Sequence, residues 1–338
     1  MNVRLVGTGP AADAVAAALG DVGVAVERGG VEDFPGADLA VVTGVAGDEG
    51  FRAANAAAIE GATPWLAVEG GGLGGHALAD VEAAVSGFAP ASGTGCFECL
   101  RARVAANTDG DAAGTAEVDG PTARLAGATA GREATRLLAG EESTVLGGVV
   151  ELPHATRRLL PVPGCDACGG ERDRALAVEA GDRDLAAALE AAERAFDARV
   201  GVVAEVGEAE SFPAPYYLAQ LADTEGFSDV QAARQAAGVA AGWDEAFMKA
   251  LGESLERYAA GVYRSAEFRE TEPGGVEGMV PPGAFVGVDP VDEPLPWVEA
   301  TDLAAWAAER EPDAGRGAWL PAELVQFPPP ERRLRPAI

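Results

Sequence analysis

Short apolar runs alternate with alanine-rich runs of helical periodicity at the start of the chain. Apolar runs of strand length cover residues 3–6, 22–26, 37–42 and 64–68. The intervening runs predict a helix that opens at the Gly7-Thr-Gly9 turn and ends near Leu19, and a second helix over 51–59. Strands that alternate with helices indicate a parallel sheet with helices on its faces. The pattern therefore predicts an α/β fold, with a Rossmann-like, mostly parallel sheet in an N-terminal domain.

Beyond this region the pattern becomes less regular. The glycine run from Glu69 to Gly75 predicts a loop without regular structure. A helix is predicted over 123–138, followed by antiparallel strands over 145–152 and 158–162. The polar, glycine-led segment at 169–174 marks a domain boundary, and 338 residues are enough for two cores. We therefore predict two domains, 1–170 and 171–338.

The second domain contains a strongly amphipathic run at 247–258. At about 100° per residue, an apolar stripe forms from Phe247, Leu251, Leu255, Tyr258 and Val262. The opposite face carries Lys249, Glu253, Glu256 and Arg257. The simplest interpretation is a solvated face with the ion pairs Lys249–Glu253 and Glu253–Arg257, each worth roughly 0.2–0.5 kcal/mol. Lys249, however, is the only lysine in the chain.

The charge balance excludes several partners. The chain has 54 acidic against 25 basic residues and a formal net charge of −29. A nucleic-acid duplex or an anionic membrane surface would be repelled, so no nucleic-acid or membrane partner is expected. An acidic surface with almost no lysine is typical of a halophilic protein, whose self-repulsion is screened by salt. Because no apolar run approaches the roughly 18 residues of a membrane span, we expect a cytoplasmic protein.

The cysteines form two matched pairs, Cys96-Phe-Glu-Cys99 and Cys165-Asp-Ala-Cys168. Two Cys-x-x-Cys knuckles together supply the thiolates of a tetrahedral, structural zinc site. Because four sulfurs complete the coordination shell, no position remains for water, and the metal is not expected to be catalytic. Dithiol redox chemistry is the alternative, but it would leave one pair without a role.

No set of side chains for nucleophilic catalysis can be assembled from the sequence, so the catalytic residues are left unassigned. His76 and His154 stand alone and are interpreted as local hydrogen-bond partners. The Gly7–Gly9 turn, with Glu27 at the distance of a ribose contact, has features of a dinucleotide site. Its third glycine is replaced by an alanine, so a nucleotide-dependent oxidoreductase is a remote alternative.

Two stretches carry a resemblance to known families. The chain from the glycine run through Gly87–Leu100 resembles the ThiF-like, ubiquitin-activating superfamily, in the degenerate form that accompanies YcaO enzymes. The run 246–258, with 212–217 before it and 320–325 after it, resembles the first half of a YcaO-type domain. That family uses ATP to activate backbone amides of a peptide and forms azolines or, in some branches, thioamides. Because the resemblance stops at the C-terminal end, an incomplete α+β YcaO-like domain is expected.

The resemblance implies ligands and partners. Glu253 and Glu256 would bind magnesium and ATP, Arg257 would lie beside them, and Lys249 would contact phosphate. The substrate would be a ribosomally made precursor peptide or protein, as in thiazole- and oxazole-modified peptide or bacteriocin biosynthesis. In the family the domain continues with further carboxylates and an arginine, so a complementary YcaO C-terminal fragment is a further candidate partner. The oligomeric state stays open, with a homodimer as one alternative.

The sequence therefore favours two functions. The first is part of a YcaO-type, ATP-dependent cyclodehydratase or thioamidating protein whose turnover depends on completion of the YcaO-like domain. The second is a non-catalytic, zinc-stabilised module that binds a peptide or a partner protein. Whether the chain is an enzyme by itself stays open between them.

Overall fold

A computed structural model describes residues 1–108, 118–153, 155–169, 184–300, 318–330 and 332–334. The chain divides into two compact units. The first combines Met1–Gly170 with Arg194–Glu205, and the second combines Glu171–Glu193 with Val206–Ile338. Among the described residues, no helix has the length and hydropathy that a bilayer crossing requires.

A seven-stranded sheet forms the centre of the first unit. Its strands are β1 (Asn2–Val6), β2 (Ala25–Arg28), β3 (Leu39–Val45), β4 (Trp65–Gly70), β7 (Ala83–Phe88), β8 (Gly148–Leu152) and β9 (Ala155–Arg158). They lie in the order β2-β1-β3-β4-β7-β8-β9. The first four strands are parallel, and β7, β8 and β9 continue the sheet antiparallel. The short strands β5 (Gly72–Leu73) and β6 (His76–Ala77) form a separate hairpin. The predicted α/β fold is confirmed, with a mixed sheet.

Helices cover both faces of this sheet. They are α1 (Pro10–Asp21), α2 (Gly50–Gly61), α3 (Phe97–Asn107) and α4 (Gly120–Leu138). Residues of α2 and α3 share one core with Ala40 and Val42, whereas residues of α1 and α4 share the other with Leu39 and Val41. This division follows from β3 itself, because successive side chains of a strand point to opposite faces. The α2–α3 core contains the aromatic cluster Phe51, Trp65, Phe88 and Phe97.

The second unit contains smaller sheets. The elements beyond α4 and β9 are α5 (Leu185–Glu193), β10 (Val203–Glu210), β11 (Tyr216–Leu221), β12 (Gln235–Val239), α6 (Trp243–Gly261), β13 (Arg269–Thr271), β14 (Leu295–Ala300), β15 (Ala318–Pro321) and α7 (Ala322–Val325). One sheet has the order β10-β11-β12 and another β13-β14-β15. Helix α6 packs on β11 and β12.

Several predicted elements differ from the observed ones. The prediction of a structureless loop over 69–75 is wrong, because β4 continues to Gly70 and β5 follows it. The strand predicted over 158–162 lies earlier in the chain, as β9. Helix α3 and strand β7 have no counterpart in the predicted pattern. Five residues of α3, Phe97, Cys99, Leu100, Arg103 and Val104, are buried, so this helix lacks a simple polar face.

Helices α1 and α4 approach each other closely because α4 presents glycines to α1. A Cβ on Gly127 would overlap the carbonyl oxygen of Ala11, and a Cβ on Gly131 would lie 2.6 Å from the Cβ of Ala18. Backbone-to-backbone contact of this kind leaves no room for a larger residue. The packing of one sheet face therefore depends on these two glycines.

We expect Gly127→Ala to destabilise the first unit by about 1–3 kcal/mol, because the added methyl group overpacks the α1–α4 contact. Gly20→Ala is the matched control, since a Cβ on Gly20 in α1 would meet nothing within 4 Å. Alanine has the higher helix propensity, so this control should leave stability unchanged or raise it by up to about 1 kcal/mol. Urea denaturation followed by circular dichroism measures both changes. Equal stabilities of the two variants would contradict the close helix contact.

Candidate functional site

The four cysteines come together in the first unit. Cys96 is the N-cap of α3 and Cys99 lies in its first turn, whereas Cys165 and Cys168 lie in the loop after β9. The Sγ–Sγ distances are 3.9 Å for Cys96–Cys99, 3.8 Å for Cys96–Cys165 and 3.5 Å for Cys99–Cys168. Sulfurs about 2.3 Å from a tetrahedral metal centre lie about 3.8 Å apart, whereas a disulfide would bring two of them to about 2 Å. The four thiols could therefore hold one metal ion.

Thiols at this spacing cannot all ionise without a positive charge between them. Hydrogen bonding with Cys165 and Cys168 raises the pKa of Cys96, whereas hydrogen bonds from Cys168 and Cys96 lower the pKa of Cys165. A divalent cation removes this conflict, because it stabilises the thiolate form of every ligand at once. The donor set thus fits a metal ion in both geometry and charge.

The loop that carries the second cysteine pair is held against α3 by hydrogen bonds. The Val162 N–H donates to Cys99 Sγ at 3.3 Å. The buried guanidinium of Arg103 donates from Nε to the Leu160 oxygen at 3.3 Å and from Nη2 to the Pro161 oxygen at 3.0 Å. Arg103 was not singled out from the sequence. Its one sequence signal is its position four residues after Cys99, which places both on the same side of a helix.

We expect the purified protein to carry one metal ion per chain, measured by elemental analysis. Cys165→Ser should lose the ion and lower the melting temperature by on the order of 10 °C, because metal binding contributes directly to folding free energy. A chelator should reproduce this loss in the wild type and have little effect on the variant. A metal-free wild type with the same melting temperature as Cys165→Ser would contradict a metal at this cluster.

A buried carboxylate organises the glycine-rich hairpin of β5 and β6. Glu69 is fully buried, and its two oxygens accept hydrogen bonds from the N–H groups of Gly74 at 2.7 Å and Gly75 at 2.6 Å. Burial raises the pKa of Glu69 to about 7, although these two hydrogen bonds and the charge of Arg101 act in the opposite direction. The sequence alone did not mark Glu69, because its burial depends on the folded hairpin.

Arg101 links this hairpin to α3. The His76 Nε2 atom lies 3.1 Å from the backbone oxygen of Arg101, so the prediction of a local hydrogen-bond partner is confirmed for His76. Arg101 Nη1 donates to Glu98 at 3.1 Å, and Arg52 of α2 donates to the same carboxylate at 2.9 Å. His154 lies outside the described residues.

The raised pKa of Glu69 predicts a pH-dependent stability. Between about pH 4.5 and 7 the folded protein keeps a proton that the unfolded chain releases, so the free energy of unfolding falls as pH rises, by at most about 1 kcal/mol per pH unit. Glu69→Gln carries no titratable group and should lose this slope. Glu49→Gln, at an exposed carboxylate, should keep it. Urea denaturation at pH 5, 6, 7 and 8 makes the comparison, and parallel profiles for wild type and Glu69→Gln would contradict the assignment.

A cleft of about 410 Å³ lies at the carboxyl ends of β1, β3 and β4, beside the Gly7–Gly9 turn. Among the described residues that line it are the acidic Asp48 and Glu69, but no lysine or arginine. Glu27, the candidate ribose contact, forms an ion pair with Arg4 at 2.5 Å. A phosphate group would therefore meet no lining cation, and charge does not favour a dinucleotide in this cleft.

Helix α6 buries a different stripe from the predicted one. Its buried residues are Ala246, Ala250, Leu251, Ser254, Tyr258 and Gly261. Leu251 and Tyr258 are thus correctly predicted, whereas Phe247, Leu255 and Val262 are only partly buried. The difference between the predicted and the observed buried stripe has a steric cause, because small residues on α6 let the helix backbone approach β12. A Cβ on Gly238 would overlap backbone atoms of Ala246 and Ala250.

The predicted nucleotide and magnesium ligands lie on the more exposed side of α6. Arg257 Nε donates to Glu253 at 2.7 Å, so this predicted ion pair is confirmed. The predicted Lys249–Glu253 pair is wrong, because Lys249 pairs with Glu245 at 3.2 Å. Glu256 is exposed. This face therefore presents carboxylates and cations side by side, which is a donor set suited to magnesium and to phosphate oxygens.

No protein-family model matches the sequence, and no curated protein matches it. Among solved structures, the chain is similar to a heterocyclase in complex with substrate and cofactor, with a TM-score of 0.61, 16% identity, and coverage of 100% of this chain and 53% of that chain. MccB of E. coli aligns with a TM-score of 0.39 and 14% identity, and the alignment covers 51% of this chain and 66% of that chain. YcaO from Methanopyrus kandleri, bound with AMPPCP and Mg²⁺, aligns with a TM-score of 0.27 and 21% identity, and the alignment covers 40% of this chain and 31% of that chain.

The fold assignment rests on the heterocyclase, because the other two TM-scores lie below 0.5. The chain has the fold of this heterocyclase along its whole length, in agreement with the α/β fold predicted from the sequence. The alignment covers 53% of the heterocyclase, so the chain spans about half of that protein's length.

Proposed function

We propose that the chain is part of an ATP-dependent protein that modifies backbone amides of a peptide, with an azoline or a thioamide as the product. The observation that supports this most is the fold shared with the heterocyclase across the whole of this chain, at a TM-score of 0.61. The proposed substrate is a ribosomally made precursor peptide or protein.

In this proposal the first unit is a zinc-stabilised scaffold. Four thiolate donors favour zinc over magnesium or calcium, which prefer oxygen ligands. The ion at Cys96, Cys99, Cys165 and Cys168 would be structural, since the four sulfurs leave no coordination position for water. Free cysteines and a net charge of −29 support a cytoplasmic, high-salt setting.

The second unit would supply part of a nucleotide site. Glu253 and Glu256 would hold magnesium, with Arg257 and Lys249 beside the phosphates, and bound ATP would supply the phosphoryl group that activates the amide oxygen. The exposed Glu253–Arg257 pair contributes about 0–1 kcal/mol, so little free energy opposes its exchange for a metal contact. Two carboxylates alone hold magnesium weakly. A complementary YcaO C-terminal polypeptide would therefore supply further ligands.

A second candidate function is a non-catalytic, zinc-stabilised module that binds a peptide or partner. The ion pairs Glu253–Arg257 and Lys249–Glu245 favour it, because side chains that pair with one another on one helix can form a solvated face without binding a nucleotide. The two candidates share the scaffold and differ in whether the charged face of α6 takes part in chemistry.

We expect phosphate release from ATP in the presence of magnesium and a complementary YcaO C-terminal polypeptide. Glu253→Gln should reduce this rate by about a hundredfold or more, because it removes a metal-binding charge from the site. Glu245→Gln is the matched control, since Glu245 also forms an ion pair on α6 but is not a proposed ligand. Peptide binding without phosphate release under every condition would instead favour the binding module.

A further inference from the structure

Strand β12 forms a free edge of its sheet. The bond from Leu221 N to the Arg234 oxygen, at 2.8 Å, fixes which residue pairs of the β11–β12 ladder are hydrogen-bonded. In an antiparallel ladder such pairs alternate with pairs whose N–H and C=O groups point away from the partner strand. The outward-pointing groups belong to Gln235, Ala237 and Val239. These residues are exposed, and no strand within the described part of the chain pairs with them.

The sequence of β12 does not protect this edge. Folded proteins usually place a charge, a proline or a bulge on an exposed edge strand to prevent pairing with another chain. The other described edge strands of the larger sheets, β2, β9, β10, β13 and β15, each contain a charged residue or a proline. Strand β12 reads Gln-Ala-Ala-Gly-Val and contains neither.

Two side chains of α6 occupy the edge instead. Lys249 Nζ donates to the Val239 oxygen and Arg257 Nη1 donates to the Gln235 oxygen, each at 3.3 Å. These bonds are long, and the side chains of Lys249 and Arg257 are 52% and 39% exposed. Long, exposed hydrogen bonds of this kind contribute little, so the hydrogen bonds of an added strand can replace them.

We propose that the free edge of β12 binds an extended, uncharged or basic peptide as an added β-strand. Backbone hydrogen bonds to Gln235, Ala237 and Val239 would supply the affinity, as in other cases of strand addition. The side chains of these residues share the outer sheet face with Leu218, which is 40% exposed. Alternate side chains of the peptide would therefore meet small or apolar groups.

The charges of α6 determine which peptide side chains are favoured on the opposite face of the added strand. Helix α6 carries four carboxylates, Asp244, Glu245, Glu253 and Glu256, against the two cations Lys249 and Arg257. Lys249 and Arg257 are paired with Glu245 and Glu253, so the surroundings of the edge stay negative through the other two carboxylates and the net charge of −29. This charge repels an acidic strand and attracts a lysine-bearing one. Pairing through β12 of a second copy would place two such acidic helices side by side, in chains that each carry a net charge of −29. A peptide is therefore the better occupant.

The identification of this strand as the segment to be modified rests on the proposed function, whereas the binding itself does not. A strand that takes the carbonyl groups of Val239 and Gln235 would release Lys249 and Arg257 from the backbone beside Glu253. Peptide binding would thus free both cations for an anionic ligand on the same side of α6.

The test titrates the full chain, without ATP, with the blocked hexapeptide acetyl-(Val-Lys)₃-amide and with its (Val-Glu)₃ counterpart. Binding is measured by calorimetry and by the amide NMR signals of Gln235, Ala237 and Val239. We expect the lysine peptide to bind at least about tenfold more tightly than the glutamate peptide, and to slow hydrogen exchange at these three amides.

Ala237→Pro should weaken binding by about tenfold or more, because it removes a donor from the pairing edge. The N–H of Ala237 points away from β11, so proline is tolerated in the fold. Ala237→Val keeps the donor and is the matched control. The lysine peptide N-methylated at every residue extends the test if Ala237→Pro does not fold, because it keeps no strand N–H that could donate to β12.

Equal binding to wild type and a folded Ala237→Pro, or equal binding of the unmodified and the fully N-methylated lysine peptides, would overturn the proposal. Protection of the same three amides at high protein concentration without peptide, together with a dimer in sedimentation, would assign the edge to a second copy and also overturn it. Because no step requires ATP, a protein that binds the peptide but never releases phosphate would contradict the proposed function and leave the strand-addition site intact.

Discussion

The convergence of four sulfur atoms is the constraint on which the first unit depends. The cysteine pairs that meet are 69 residues apart in sequence, and α4, β8 and β9 lie between them. Their contact ties the start of α3 to the loop that follows the last strand of the sheet. Since α3 also contributes Phe97 and Leu100 to one core, the sulfur cluster fixes a core helix and the edge of the sheet together.

Charged groups extend this constraint to other parts of the unit. Arg103 holds the 160–161 backbone next to the sulfurs, and the charge of Arg101 in α3 acts on the Glu69 carboxylate that organises the β5–β6 hairpin. The Arg157–Asp197 ion pair, at 2.9 Å, attaches the returning segment 194–205 to β9. These charged side chains thus connect segments that are distant in sequence. Their place between packed segments explains why they are buried or half-buried rather than solvated.

The sequence predicts features whose cause is local. The strand near Val3, the helix over 51–59 and the helix over 123–138 were found because periodicity in each is set by its own residues. The cysteine pairs were recognised for the same reason, since two residues between ligands is a local spacing. Helix α3, strand β5 and the burial of Glu69 were missed, because each depends on contacts with segments elsewhere in the chain. On α6 the apolar stripe was partly misplaced, since close approach to Gly238 favours small side chains over large apolar ones at the interface.

Lys249 has a consequence for chemical labelling. It is the only lysine among the 338 residues, so acylating reagents that target lysine side chains have a single target among them. Its side chain is half-exposed and touches the edge of β12. A fluorophore attached by such a reagent would therefore report from one defined place in the fold, and a partner that covers this place would change both the rate of acylation and the emission.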